Sequence, residues 1–109
     1  MGLFDFFKKP NFMEMLEVCQ NTPQSKLIDV REVDEYQQAH IPNSINIPLS
    51  LIPIKIQDYV NDKDTPIFLY CLSGARSYQA QSLLKKMGYT NLTNLGGLHS
   101  YRGPFETKR

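Results

Sequence analysis

The residues with the most chemistry to offer are contiguous. Cys71-Leu72-Ser73-Gly74-Ala75-Arg76-Ser77 brings a thiol, two hydroxyls, a glycine and a guanidinium into seven positions. The stretch before it, Pro66 to Tyr70 (PIFLY), is a run of strand-forming apolar residues, as in a buried parallel strand. After it, from Ser77, Ala80, Leu83, Leu84 and Met87 recur at helical spacing, and Gly88 marks the stop. A cysteine between a strand end and a helix start lies where unpaired N–H groups and the helix dipole favour an anion. A tight loop can turn its own N–H groups inward as an anion nest. A thiolate held there has a lowered pKa and is a ready nucleophile. Gly74 permits backbone angles closed to other residues, Arg76 can bind an oxyanion through two hydrogen bonds, and Ser73 and Ser77 add donors.

Each of these residues has a plainer reading. A strand-end cysteine alone would more often be inert; the glycine, the arginine and the helix start together favour a functional Cys71. Arg76 either meets substrate or pins the loop by bonding carbonyls or a carboxylate. Asp29 and Arg31 close a neighbouring strand and read as a structural bridge supporting nearby loops. His40 sits in a turn, where a histidine more often satisfies backbone carbonyls than serves as a base. Tyr36, Tyr70, Tyr78 and Tyr101 read as core or rim aromatics, with Tyr78 near the mouth of the site. Cys19 falls on an apolar helical face with Phe12, Met15 and Leu16, so it reads as a small buried hydrophobe rather than a resolving thiol for Cys71.

The remaining elements must position that loop. Asn11 caps a first helix, Lys26 to Val30 is a strand, and Glu32 to Gln38 is a short helix with Val33 and Tyr36 on one side. Ile45 to Ile47 is a short strand stopped by Pro48. Ser50 caps a helix from Leu51 to about Tyr59, with Pro53 in its first turn. A last strand covers Asn91 to Leu95, Gly96-Gly97 breaks it, and Leu98 to Tyr101 starts a short terminal helix. Strands alternating with helices imply an α/β fold with a parallel sheet covered on both faces.

Composition narrows the function classes. The 109 residues suit one domain, 1–109, with residues 1–10 as an N-terminal extension and 103–109 as a polar tail. Twelve Lys plus Arg against eleven Asp plus Glu leave a net charge of +1, which argues against nucleic acid as partner. Selectivity for anions must therefore be local. Two cysteines are too few for a disulfide framework or a zinc site, so a reduced, cytoplasmic protein is expected. No apolar run approaches the roughly 20 residues of a membrane span. The opening MGLFDFFKKP lacks a signal-peptide pattern, and Phe6 stands where a myristoylation motif wants Ser or Thr. Its Leu3, Phe4, Phe6 and Phe7 either fold back on the domain or touch a membrane surface or partner.

Two longer stretches carry a family resemblance. LIDVREVDEYQQAHIPNSINIP resembles the first signature of the rhodanese-like domain, and IFLYCLSGARSYQAQSLLKKMGYTNLTNLGG resembles the second. The resemblance runs from about Lys26 to Tyr101 and rests jointly on order, spacing and the Cys-x-x-Gly-x-Arg loop. It implies a rhodanese-like α/β fold, a mostly parallel sheet of four or five strands with helices on both faces. It implies thiosulfate sulfurtransferase activity, with a persulfide on Cys71, a cradle of N–H groups from Leu72, Ser73, Gly74, Ala75, Arg76 and Ser77, and no metal or organic cofactor. The partners implied are a small sulfur donor, a thiol or cyanide acceptor, and a sulfur-accepting protein as a further option. The chain departs from the family at Asn43-Ser44, where Gly-Ala is usual, and at Tyr101, where Trp is common. Asn43 tolerates the left-handed backbone such a turn needs. Two other functions fit the same loop: a sulfur-relay or binding module with little turnover, and a cysteine-dependent phosphatase or arsenate reductase. The six-residue loop from Cys71 to Arg76 and its lack of an acidic residue disfavour the phosphatase.

Overall fold

The computed structural model describes residues 10–108. The apolar Leu3–Phe7 stretch lies outside them. Helix α1, Phe12–Asn21, opens with a reciprocal cap: Glu14 N–H donates to Asn11 Oδ1 at 2.9 Å, and Asn11 N–H donates to the Glu14 carboxylate at 2.9 Å. Strand β1 is Lys26–Asp29, helix α2 is Val33–Gln38, and strand β2 is Ile45–Asn46. Helix α3 is Ile52–Tyr59, strand β3 is Ile67–Cys71, helix α4 is Ala75–Lys86, and strand β4 is Leu92–Gly97. A 3-10 turn, Leu98–Ser100, follows β4 as expected.

Among the described residues the sheet has four strands in the order β2-β1-β3-β4, and every pairing is parallel. Strand β3 is buried along its whole length because both of its faces are covered. Successive side chains of a strand point to opposite faces, so β3 divides the core in two. Ile67, Leu69 and Cys71 pack with Ile52, Ile56, Ala80 and Leu84 under α3 and α4. Phe68 and Tyr70 pack with Phe12, Leu16 and Cys19 under α1, and with Tyr101. Each fully buried Ile or Leu contributes about 1.5–3 kcal/mol relative to exposure. Cys19 and Cys71, both free, therefore lie on opposite faces of the sheet. A disulfide needs Cα atoms within about 7 Å, which that separation by the sheet prevents.

Three local expectations are corrected. Ser50 does not cap α3. A 3-10 turn, Leu49–Leu51, closed by Leu51 N–H on the Pro48 carbonyl at 2.8 Å, runs straight into the helix. Leu49 and Leu51 pack against the core there, which outweighs a cap worth about 1 kcal/mol. Pro53 does sit in the first turn of α3. Helix α4 begins at Ala75, two residues before the apolar repeat, because the loop itself winds into it: Tyr78 N–H bonds Gly74 O at 3.1 Å. Val33 and Tyr36, expected on one side of α2, differ in burial: Val33 is exposed, while Tyr36 stacks on His40 at 3.8 Å. Gly96 and Gly97 do not end β4. The register slips between Leu69 and Tyr70, leaving Leu95 as an extra residue, and β4 continues through both glycines.

The bridge between Asp29 and Arg31 is buried and extensive. Arg31 donates through Nε and Nη2 to the Asp29 carboxylate at 2.7–3.1 Å, and Nη2 also bonds Ala39 O at 2.6 Å. It ties the end of β1 to the turn after α2. His40 donates from Nδ1 to Tyr36 O at 2.7 Å, the carbonyl-satisfying role expected of it. Its backbone pairs with Glu106, and Lys108 N–H bonds Gln37 O, so the polar C-terminal residues lie against α2. Asn43 keeps its turn with φ at 69°.

Candidate active site

The C-terminal end of β3 delivers Cys71 to the start of α4, and the loop between them wraps the sulfur. Gly74 N–H reaches Sγ at 3.0 Å, Ser77 N–H at 3.4 Å and Ser77 Oγ–H at 3.5 Å. Gly74 adopts φ of 99°, a left-handed angle that turns its N–H inward. Burial pushes the Cys71 thiol up. Hydrogen bonds from the Ser77 hydroxyl and N–H, from Gly74 N–H and from Ser73 N–H outweigh it, and the net shift is downward from the usual thiol value. Cys19 goes the other way: burial raises it, and its contact with Ser25 offsets only part of that.

The seven loop residues thus divide. Ser73, Gly74 and Ser77 serve the sulfur. Leu72 turns its side chain to solvent and gives its carbonyl to Leu98 N–H at 3.0 Å. Ala75 N–H points to Ser73 Oγ at 3.5 Å. Arg76 reaches sideways and makes a two-pronged ion pair with Glu35 of α2, at 2.7 and 3.0 Å. Cys71 itself has no exposed surface. Among the described residues no group of three or more His, Cys, Asp or Glu is placed to hold a metal ion.

Two contributors escaped the sequence reading. Glu35 is the carboxylate that takes Arg76, and its Oε1 also accepts Glu32 N–H at 3.0 Å in a cap of α2. The Arg76 hydrogen bond holds the Glu35 carboxyl at about 2, against an ordinary 4.5, with burial opposing. A lowered carboxyl stabilises the fold above its ordinary value and loses that contribution as pH falls from about 4.5 toward 2, so the pair is intact at neutral pH. Gly97 is the other contributor. A Cβ there would lie 2.6 Å from Leu72 O and 2.7 Å from Ser73 C, so the bare backbone of β4 buttresses the loop. A glycine pair inside a strand is the signal that could have revealed it, since it marks close backbone approach.

The lowered thiol has a direct consequence. Alkylation of Cys71 by iodoacetamide in a Cys19→Ser background should show a midpoint below about 8.5, the value of a free thiol. A midpoint at or above that value would show that the ring of donors does not favour the thiolate.

Comparison with known proteins agrees with the fold. Thiosulfate sulfurtransferase PspE of Escherichia coli (strain K12) is 43% identical over 77 residues, covering 71% of this chain and 74% of the relative. The thiosulfate:glutathione sulfurtransferase of Saccharomyces cerevisiae is 34% identical over 85 residues, covering 68% of this chain and 61% of that one. A solved structure described as rhodanese with anions from E. coli superposes with a TM-score of 0.72 at 40% identity, over 76% of this chain and 98% of its own. The rhodanese-like domain model matches residues 13–103, and the chain belongs to that family.

Proposed function

We propose that this rhodanese-type enzyme is a sulfurtransferase that carries sulfane sulfur as a persulfide on Cys71. The observation that supports this reading best is the ring of donors on Sγ: Gly74 N–H at 3.0 Å, Ser77 N–H at 3.4 Å and Ser77 Oγ–H at 3.5 Å. The Cys71 thiolate attacks the outer sulfur of thiosulfate or a similar donor. A sulfur–sulfur bond forms on Cys71, the donor's own sulfur–sulfur bond breaks, and sulfite leaves with the electron pair. The same donors then stabilise the persulfide anion until a thiol or cyanide takes the outer sulfur. The hydrogen bonds from Ser77, Gly74 and Ser73 favour the thiolate, and attack by a thiolate needs no further base. The exposed side chain of Leu72 in the loop suits contact with an acceptor, including a sulfur-accepting protein. The two unpaired cysteines suit the reducing cytoplasm.

The competing phosphatase reading requires a loop that surrounds three phosphoryl oxygens. Here the donors converge on one sulfur atom, and Arg76, the residue that would grip those oxygens, is already held by Glu35. The experiment is to compare thiosulfate:cyanide sulfur transfer with aryl-phosphate hydrolysis, and to weigh the intact protein after thiosulfate. Sulfur transfer should dominate, and the protein should gain the mass of one sulfur atom. Efficient phosphatase turnover with no response to thiosulfate would replace this reading with the other.

A further inference from the structure

Between Cys71 and Ser77 the one charged side chain is Arg76, and it would be the natural attraction for an anionic donor. Its guanidinium is instead paired with Glu35, Nη1 to Oε1 at 2.7 Å and Nη2 to Oε2 at 3.0 Å. Both partners keep about 30% of their side chains exposed, 31% for Arg76 and 29% for Glu35, so the pair stands at the rim, where an arriving donor meets its field. The two charges cancel at that distance, while Leu72, in the loop itself and 54% exposed, adds apolar surface beside it. Glu35 is also fixed in place independently of Arg76, because Oε1 accepts Glu32 N–H in the cap of α2.

We infer that Glu35 sets donor specificity: by neutralising Arg76 it tilts the site away from dianionic sulfane donors and toward donors of single charge with an apolar body. This rests on the sulfurtransferase reading. The class it points to is an alkyl or aryl thiosulfonate, or an organic persulfide, rather than inorganic thiosulfate. The chemical step is the same for both classes. Cys71 thiolate bonds to the sulfane sulfur, the donor's sulfur–sulfur bond breaks, and the electron pair leaves on sulfite from thiosulfate, on a sulfinate from a thiosulfonate, or on a thiolate from an organic persulfide. Each exchange conserves charge and needs no outside oxidant. Glu35 touches neither the sulfur nor the leaving group, so it is a positioning residue that acts through the charge at Arg76.

The test compares thiosulfate, a dianion, with methanethiosulfonate, a monoanion, in wild type and in Glu35→Gln. Glutamine keeps the shape and the acceptor for Glu32 N–H and removes only the charge. Because Coulomb energy scales with donor charge, kcat/KM should rise about tenfold for thiosulfate and about threefold for methanethiosulfonate. The gain should appear mainly in KM and shrink as salt is added. Glu35→Asp, which retains the charge, should keep the wild-type ratio of the two donors within about twofold, as the same charge scaling requires. Leu72→Lys provides a second route that leaves α2 untouched: an unpaired cation at an exposed rim position should raise the same ratio. A ratio unmoved in both Glu35→Gln and Leu72→Lys, or an equal fall for both donors, would overturn the inference and leave sulfur transfer standing. A wild type that takes sulfur from neither donor would overturn both.

Discussion

Cys71→Ser should abolish sulfur uptake: after incubation with thiosulfate its intact mass stays that of the untreated protein, and transfer to cyanide falls at least about a thousandfold. Serine presents nearly the same shape to the donors on Sγ, so the fold should survive within about 1 kcal/mol. What serine lacks is the sulfur chemistry. Its hydroxyl does not ionise at neutral pH, and oxygen has no persulfide to form. Cys19→Ser is the control. Cys19 is buried on the opposite face of the sheet, its thiol raised by burial, and its loss should cost about 1–3 kcal/mol of stability as a polar atom enters an apolar site. Sulfur uptake should persist in that variant at close to the wild-type extent. Equal loss of uptake in both variants would mean a dithiol mechanism, and the separation of the two cysteines by the sheet would then have to be broken during turnover.

What the sequence disclosed follows from distance along the chain. Strand β3, the loop and α4 are contiguous, so Cys71 and the donors from Ser73, Gly74 and Ser77 could be placed together from local patterns alone. The Asp29–Arg31 bridge was equally legible, because its partners are two residues apart at a strand end. The parallel α/β architecture followed from alternating strand and helix patterns. Glu35 was not legible: 41 residues separate it from Arg76, and several carboxylates could have taken that guanidinium. Arg76 was left open between substrate and a carboxylate for that reason, and the structure gives it the carboxylate. Gly96 and Gly97 were misread because a local reading sees two weak strand formers. The role of Gly97 depends on the backbone of Leu72 and Ser73, more than twenty positions earlier, and that neighbour appears only when the strands align. The Ser50 cap failed in a similar way, since tertiary packing of Leu49 and Leu51 settled the start of α3.

Gly97→Ala should be the most damaging change of a single methyl outside the loop itself. A Cβ at position 97 would stand 2.6 Å from Leu72 O, 2.7 Å from Ser73 C and 2.8 Å from Ser73 Cα. All three are backbone atoms, so no flexible side chain can swing away to make room. Strand β4 is pinned to β3 by its ladder, and Leu98 N–H already bonds Leu72 O. The loop must therefore give way, at a cost of about 1–3 kcal/mol in overpacking. Ser73 and Gly74 move with it, and their N–H groups are among the donors that hold the Cys71 thiolate. The alkylation midpoint of Cys71 should rise toward that of a free thiol, and sulfur transfer should fall about a hundredfold, as displacements near 1 Å do at reactive centres. Gly96→Ala separates this effect from simple loss of a glycine. Gly96 has φ of 108°, and among the described residues no atom lies within 4 Å of its added Cβ. That variant should lose about 1–3 kcal/mol to backbone strain while the Cys71 midpoint stays low. Thermal unfolding together with alkylation against pH, run on both variants, distinguishes the two mechanisms. A Gly97→Ala protein that unfolds earlier yet keeps the wild-type midpoint and transfer rate would show that the buttress supports the fold and not the thiolate.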